Sequence, residues 1–255
     1  MLLETIYEFV FNDDIDNKVL VQNSYALATF VAIYVMFVTW VGPALMKNRK
    51  PFDLQKILIS YNLAQMAVNG VLVYQLLQFG YEIWDDRCMV QQSSRYPYIV
   101  KCSKKLMWYT YLVKLADSLD TVFFVLRKKN NQISFLHVFH HVVVWVLNHS
   151  YLKYIQIGYY LLVTVAINNF VHVIMYFYYA LAAIGPSMRK YLWWKKYLTL
   201  LQMIQFLVIL TYISIGFITG CEKLGAEEIA MATFLGLLVI LFMNFYRKSF
   251  KKHVE

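Results

Sequence analysis

Charge is scarce in this sequence. Only 15% of its 255 residues are Asp, Glu, Lys or Arg while 60% are hydrophobic, which excludes a domain wrapped in a solvated polar shell and points to a bilayer. A basic segment ahead of a short apolar stretch is missing too. Met1 is followed by Glu4, Glu8, Asp13, Asp14 and Asp16, so no cleavable signal peptide is expected and the first membrane helix must direct targeting. No low-complexity linker, soluble appendage or strong internal repeat is evident, so a single domain over residues 1–255 is expected. The net charge of +9 does not indicate nucleic acid, because the basic residues form short clusters between apolar runs and not one solvated face.

What the chain has is apolar length. A bilayer crossing takes about 20 apolar residues, and the candidates are Ser24–Met46, Ile57–Phe79, Leu106–Leu126, Ser134–Leu147, Ile157–Ala180, Tyr197–Phe217 and Ile229–Tyr246. The expected class is all-α: a polytopic membrane protein with seven helices in a bundle. The fourth stretch is short, so it is either buried against the others or continued irregularly through Asn148 to Ile155.

Basic residues support an odd number of spans. Fifteen of the 24 Lys and Arg follow spans one, three, five and seven, among them Lys47, Arg49, Arg127, Lys128, Lys129, Lys190, Lys195 and Lys196, whereas eleven of the fifteen acids lie on the other side. Cytoplasmic loops are the basic ones, so the N-terminus is expected on the lumenal side and the C-terminus in the cytosol. All three cysteines, Cys88, Cys102 and Cys221, then fall on the side where oxidation is permitted. A bridge between the loops after spans two and six is expected, with Cys88 and Cys221 as the expected pair. Spacing does not exclude Cys102, and three thiols leave one free.

Ionisable groups at membrane depth are costly, about 2.5–3.5 kcal/mol each, and persist where they face one another or a cavity. Span three carries Lys114, Asp117 and Asp120; span four His137, His140 and His141; span five Asn168, Asn169 and His172; span six Gln202 and Gln205. At about 1.5 Å per residue, Asp120, His140, His172 and Gln202 are each expected about 10–15 Å from a cytoplasmic helix end, as one layer. Residues three and four apart share a helix face, which puts the three histidines of span four on one arc. A polar clasp that only fixes packing is the competing reading, strongest for Lys114 with Asp117.

A His-x-x-His-His sequence suits metal ligands or metal-free acid, base or nucleophile chemistry. Two metals held mainly by imidazole need about eight ligands. The chain has six histidines, of which His253 lies in the tail and His149 towards the lumenal end. No metal is therefore expected, and a histidine-box desaturase or hydroxylase is the second choice. A seven-helix transporter or receptor would leave the polar layer unexplained. The cysteines map to the wrong side for an acyl carrier, whereas an imidazole kept from water has a ring nitrogen able to attack a thioester.

Five segments carry a family resemblance over Gly42 to Tyr246: GPALMKNRKPF at 42–52, KLADSLDTVFFVLRKK at 114–129, LHVFHH at 136–141, NNFVHVIMYFYY at 168–179 and TLLQMIQF at 199–206. The chain resembles the ELO family of very-long-chain fatty-acid elongases. One departure is Asp117, where the family pattern has Glu.

The resemblance implies a seven-helix enzyme of the endoplasmic reticulum membrane enclosing an acyl tunnel. It would act as a 3-oxoacyl-CoA synthase condensing long-chain acyl-CoA with malonyl-CoA. It implies His140 as acyl carrier, with His137, His141 and Asp120 holding geometry and handling protons, and with His172 and Asn168 binding the thioester or enolate oxygen. Direct condensation with histidine as base is the variant. Lys114, Asp117, Tyr176, Gln202 and Gln205 are expected to contact substrate, and Arg127, Lys128, Lys129 and Lys195 the CoA phosphates. No cofactor beyond the CoA thioesters is implied. The expected surroundings are the lipid bilayer and other elongation-cycle enzymes, with homo-oligomerisation left open. The sequon at Asn148, His149 and Ser150 sits too near a helix end for a glycan to be expected, and the tail KKHVE departs from a dilysine signal at His253.

Overall fold

The protein is described by a computed structural model covering residues 14–88, 90–154, 158–221 and 225–251. The expectations on Glu4, Glu8, Asp13, Ile155, Ile157, Lys223, Lys252 and His253 lie outside these residues. Among the described residues every regular element is helical. The chain divides into two compact units, one from residues before 55 together with 97 onwards to 157, the other from 55–96 together with 158 onwards.

In the first unit, α1 spans Ser24–Met46 and is followed by α3 (Tyr96–Ala116, all but its first residue), α4 (Leu119–Leu126) and α5 (Phe135–Tyr154). α1 and α5 run antiparallel: Ser24 meets His149, and Phe30 and Tyr34 meet Trp145. α1 contains one wide turn, Phe37–Val41, closed by the Gly42 amide donating to the Phe37 carbonyl. Pro43 accounts for it, since proline has no amide to give Thr39 and its ring displaces the carbonyl four residues back. A Cβ on Gly42 would lie 2.7 Å from both the Phe37 oxygen and Val125 Cγ1. Gly42→Ala is therefore expected to cost about 1–3 kcal/mol, read as a lower thermal midpoint of the detergent-purified protein.

The expected third span is interrupted. Helix α3 ends at Ala116 and α4 starts at Leu119, because Ser118 donates its hydroxyl to the Leu115 carbonyl at 2.6 Å and the amides of Ser118, Asp120 and Thr121 reach back three residues instead of four. The expected fourth span continues as regular helix, 20 residues to Tyr154, enough to cross a hydrocarbon layer of about 30 Å. Asn148 is inside it, its amide donating to the Val144 carbonyl at 2.8 Å, so the sequon is helical.

The second unit holds α2 (Gln55–Glu82), α6 (Tyr159–Ile184), α7 (Lys195–Ile218) and α8 (Ala226–Tyr246). α2 and α6 are antiparallel and packed along their length. Tyr61 sits edge-on to Tyr176, Gly70 faces Val173, the Tyr159 hydroxyl donates to the Gly80 carbonyl at 3.1 Å, and Gln55 donates to the Ile184 carbonyl at 2.8 Å. Phe206 and Phe242 join α7 to α8. A disulfide links Cys88 to Cys221, and Cys102 is the free thiol among the described residues.

Five helical stretches, Ser24–Met46, Gln55–Glu82, Tyr159–Ile184, Lys195–Ile218 and Ala226–Phe250, are long and apolar enough to cross a membrane. Their outer faces are apolar, with Ile33, Met36, Val71, Leu77, Leu207 and Ile240 all exposed, the inverse of a water-facing surface. The two remaining expected spans are the ones that carry Lys114, Asp117 and Asp120, and the histidine box.

Candidate active site

Each unit presents its own polar cluster. In the first, His137, His140 and His141 share one arc of α5, as their spacing requires. The His137 and His141 rings meet edge to face at 4.5 Å between centroids, and His140 and His141 at 5.5 Å. His141 is buried and leads on to Trp145, whose indole donates to the Lys114 carbonyl at 2.8 Å. His137 and His140 are half-buried.

His137 is fixed by groups that sequence spacing did not reveal. Its Nε2 lies 2.9 Å from Thr121 Oγ1, which is 2.7 Å from the Tyr34 hydroxyl. Thr121 and Tyr34 are both buried, so α1, α4 and α5 meet in one hydrogen-bonded chain. At the start of α5, Ser134 Oγ accepts the His137 amide at 3.2 Å and orients the first turn. Lys114 and Asp117 form a buried ion pair at 3.4 Å, and Asp120 is buried in the first turn of α4. The ion pair flanks the helix break between α3 and α4.

The basic end of α4 is more ordered than a phosphate-facing fringe. Lys128 has a left-handed backbone (φ 55°), and the Lys129 amide returns to the Phe124 carbonyl at 2.8 Å, closing the helix. The Lys128 ammonium donates to the carbonyls of Lys47 and Arg49 at 3.0 and 3.2 Å, clamping the loop after α1. Lys129 is exposed and Arg127 half-buried.

In the second unit, His172 is buried with Nδ1 2.9 Å from the Asn168 carbonyl. A carbonyl only accepts, so Nδ1 carries a proton. Its ring faces Tyr176, which is fully buried. Gln202 reaches Met175 Sδ at 3.7 Å, and Gln205 is buried beside it in sequence on α7. Lys195 is exposed at the start of α7. α2 adds three buried amides, Asn62, Gln65 and Asn69, which the sequence reading passed over although their spacing of three and four residues is a helical stripe.

Several of these amides have no hydrogen-bond partner among the described residues: both polar atoms of Asn169, Asn69 Oδ1 and Gln205 Oε1. A buried polar atom left unpaired costs about 1–3 kcal/mol, and a bound molecule or water that pairs it recovers that cost. Among the described residues no three His, Cys, Asp or Glu side chains are grouped to hold a metal ion.

The GNS1/SUR4 family profile matches residues 19–255. The chain is 37% identical to human very long chain fatty acid elongase 4 over 239 residues, covering 93% of this chain and 75% of that one. Against rat very long chain fatty acid elongase 7 the identity is 35% over 244 residues, with 93% and 85% covered. Against mouse very long chain fatty acid elongase 2 it is 36% over 255 residues, with 91% and 80% covered. A profile match across nearly the whole sequence, joined to these relatives, establishes that the chain belongs to the GNS1/SUR4, or ELO, family of fatty acid elongases.

Proposed function

We propose that the protein is the condensing enzyme of fatty-acid elongation, joining a long-chain acyl-CoA to malonyl-CoA and releasing 3-oxoacyl-CoA, CoA and carbon dioxide. The observation that carries this reading is the histidine arc of α5, held by Thr121 at one ring and by Trp145 packing at another, in a chain of the elongase family. A nucleophile needs rigid neighbours to meet a thioester at attack distance.

In the proposed sequence an imidazole nitrogen of His140 attacks the acyl thioester carbon. The carbon–sulfur bond breaks, and the thiolate leaves as CoA after taking a proton. Malonyl-CoA then loses carbon dioxide, and its enolate carbon attacks the acyl-imidazole, forming the new carbon–carbon bond and returning the electron pair to His140. His141 and His137 orient the ring and relay protons. No metal enters this scheme, and metal analysis of active purified protein is expected to find none in stoichiometric amount.

The reading includes seven crossings, the two beyond the five apolar ones being the α3–α4 pair and α5. It also places the protein in the endoplasmic reticulum membrane, with the N-terminus lumenal. The direct test is turnover: purified protein given acyl-CoA and malonyl-CoA should release one carbon dioxide per 3-oxoacyl-CoA formed. A protein that is folded, with its disulfide intact, yet makes no 3-oxoacyl-CoA from any acyl-CoA chain length would refute the reading.

The unpaired amides supply a second test. Asn169→Leu replaces a buried group that has no hydrogen-bond partner among the described residues with an apolar one of similar volume, so stability is expected to hold or rise. Turnover is expected to fall about tenfold or more if substrate is the missing partner. Unchanged turnover would remove Asn169 from the machinery.

A further inference from the structure

At the Ser24 end of the first unit, away from the histidine arc, α1 and α5 enclose a groove of about 660 Å³. Leu27, Ala28, Val31 and Val35 of α1 and Val146 of α5 give it apolar walls, and polar groups gather at one end only. There His149, 4% exposed, holds Nδ1 2.9 Å from the Leu20 carbonyl and Nε2 3.0 Å from Ser24 Oγ. The carbonyl fixes the Nδ1 proton, so in the neutral ring Nε2 accepts the Ser24 hydroxyl proton. Lys153 donates to Ser24 Oγ at 2.9 Å and to the Gln22 carbonyl at 2.7 Å. The Tyr154 hydroxyl is a third hydrogen-bond partner of Lys153, so the three N–H bonds of the ammonium are engaged by neutral acceptors while its charge is not matched. No carboxylate pairs with Lys153 among the described residues, and its Nζ stands 5.1 Å from the ring of Tyr154, whose exposed hydroxyl is 3.5 Å from Ser24 Oγ.

The dimensions identify what this arrangement fits. From Ser24 to Val35 the groove follows α1 for about 16 Å, roughly half of a hydrocarbon core about 30 Å thick. A cation therefore sits at headgroup level, and the apolar walls descend through one leaflet. Ala28 and Ala32 are small and exposed, leaving the groove open sideways along α1. A single-chain ligand has no need of a lateral opening, whereas a two-chain lipid can leave its second chain outside.

We propose that this groove binds one phospholipid of the leaflet at the Ser24 end. Its phosphate sits against the Lys153 charge and accepts from the Tyr154 hydroxyl, and one acyl chain lies between α1 and α5. The site bridges α1 and α5, which also meet through Phe30 and Tyr34 against Trp145 and, by way of Thr121 of α4, through Tyr34 and His137, so an occupied groove holds α1 in the position that anchors the histidine arc.

The test uses the full chain, delipidated in detergent, incubated separately with dioleoylphosphatidylcholine and with oleate, and weighed intact by native mass spectrometry. One phosphatidylcholine per chain is expected to be retained, in preference to oleate. Lys153→Ala is expected to weaken retention about tenfold, the equivalent of about 1.4 kcal/mol. Ala28→Trp fills the groove from an exposed helix face without touching the polar network, and is expected to abolish retention. Preferential retention of oleate, no lipid on the wild-type protein, or retention that survives Ala28→Trp would each overturn the proposal.

Discussion

His140→Ala is expected to lower the rate of 3-oxoacyl-CoA formation by about 10³-fold or more, because removing a covalent nucleophile removes the pathway and not merely a contribution to it. The neighbouring substitutions should fall short of that. His137 is held by Thr121 and Tyr34, so Thr121→Val leaves the imidazole in place but loosens its orientation, and a decrease in kcat of about tenfold with little change in KM is expected. The contrast is the informative quantity. Equal losses in His140→Ala and Thr121→Val would mean that the arc acts only as a scaffold. His140→Ala should keep the wild-type thermal midpoint to within a few degrees, since His140 is only half-buried, whereas Thr121→Val leaves the Tyr34 hydroxyl and His137 Nε2 without this partner and is expected to cost about 1–3 kcal/mol of stability.

The second large effect is on stability. The Cys88–Cys221 bridge closes a loop spanning a sequence separation of 133 residues, which on chain-entropy grounds stabilises the folded protein by about 2–5 kcal/mol. Cys88→Ser, or reduction of the intact protein, is therefore expected to produce a clear fall in thermal midpoint, with the second unit the part affected, because both cysteines belong to it. Cys102→Ser should leave the midpoint unchanged. Electrophoretic mobility that does not respond to reductant would show that the bridge is not formed in the cell.

Much of the helical plan was legible because apolar length and basic-loop alternation are one-dimensional signals. α1 has the bounds expected of the first span, α2, α7 and α8 extend the expected spans by a few residues, and α6 runs from Tyr159 four residues past the expected end at Ala180. The break at Asp117 and Ser118 was not legible, since it depends on a serine hydroxyl bonding three residues back in place of the helical amide. A continuation of the fourth span past Leu147 was expected only as irregular backbone; its regular helix to Tyr154 was not legible, because polar residues from Asn148 onwards resemble a loop until Asn148, His149 and Lys153 are seen bonded within α5 or to the start of α1.

The site divides in the same way. Spacing put the three histidines on one arc, and parity of the basic loops put Cys88 and Cys221 on one side. Tyr34 and Thr121 stayed hidden because they are 87 residues apart and act through a contact between helices, which carries no local period. Lys128 illustrates the converse. Its basic cluster suggested phosphate binding, and its ammonium also donates to two loop carbonyls, a clamp that only the fold reveals.

The claim that His140 carries the acyl group is tested most directly by omitting malonyl-CoA. Intact enzyme is mixed with radiolabelled acyl-CoA, freed of unbound substrate under mild conditions, and counted. The account predicts protein-bound label approaching one acyl group per chain, absent from His140→Ala and discharged as 3-oxoacyl-CoA when malonyl-CoA is added. Wild-type protein that turns over both substrates yet holds no label above background would contradict it and leave direct condensation as the mechanism.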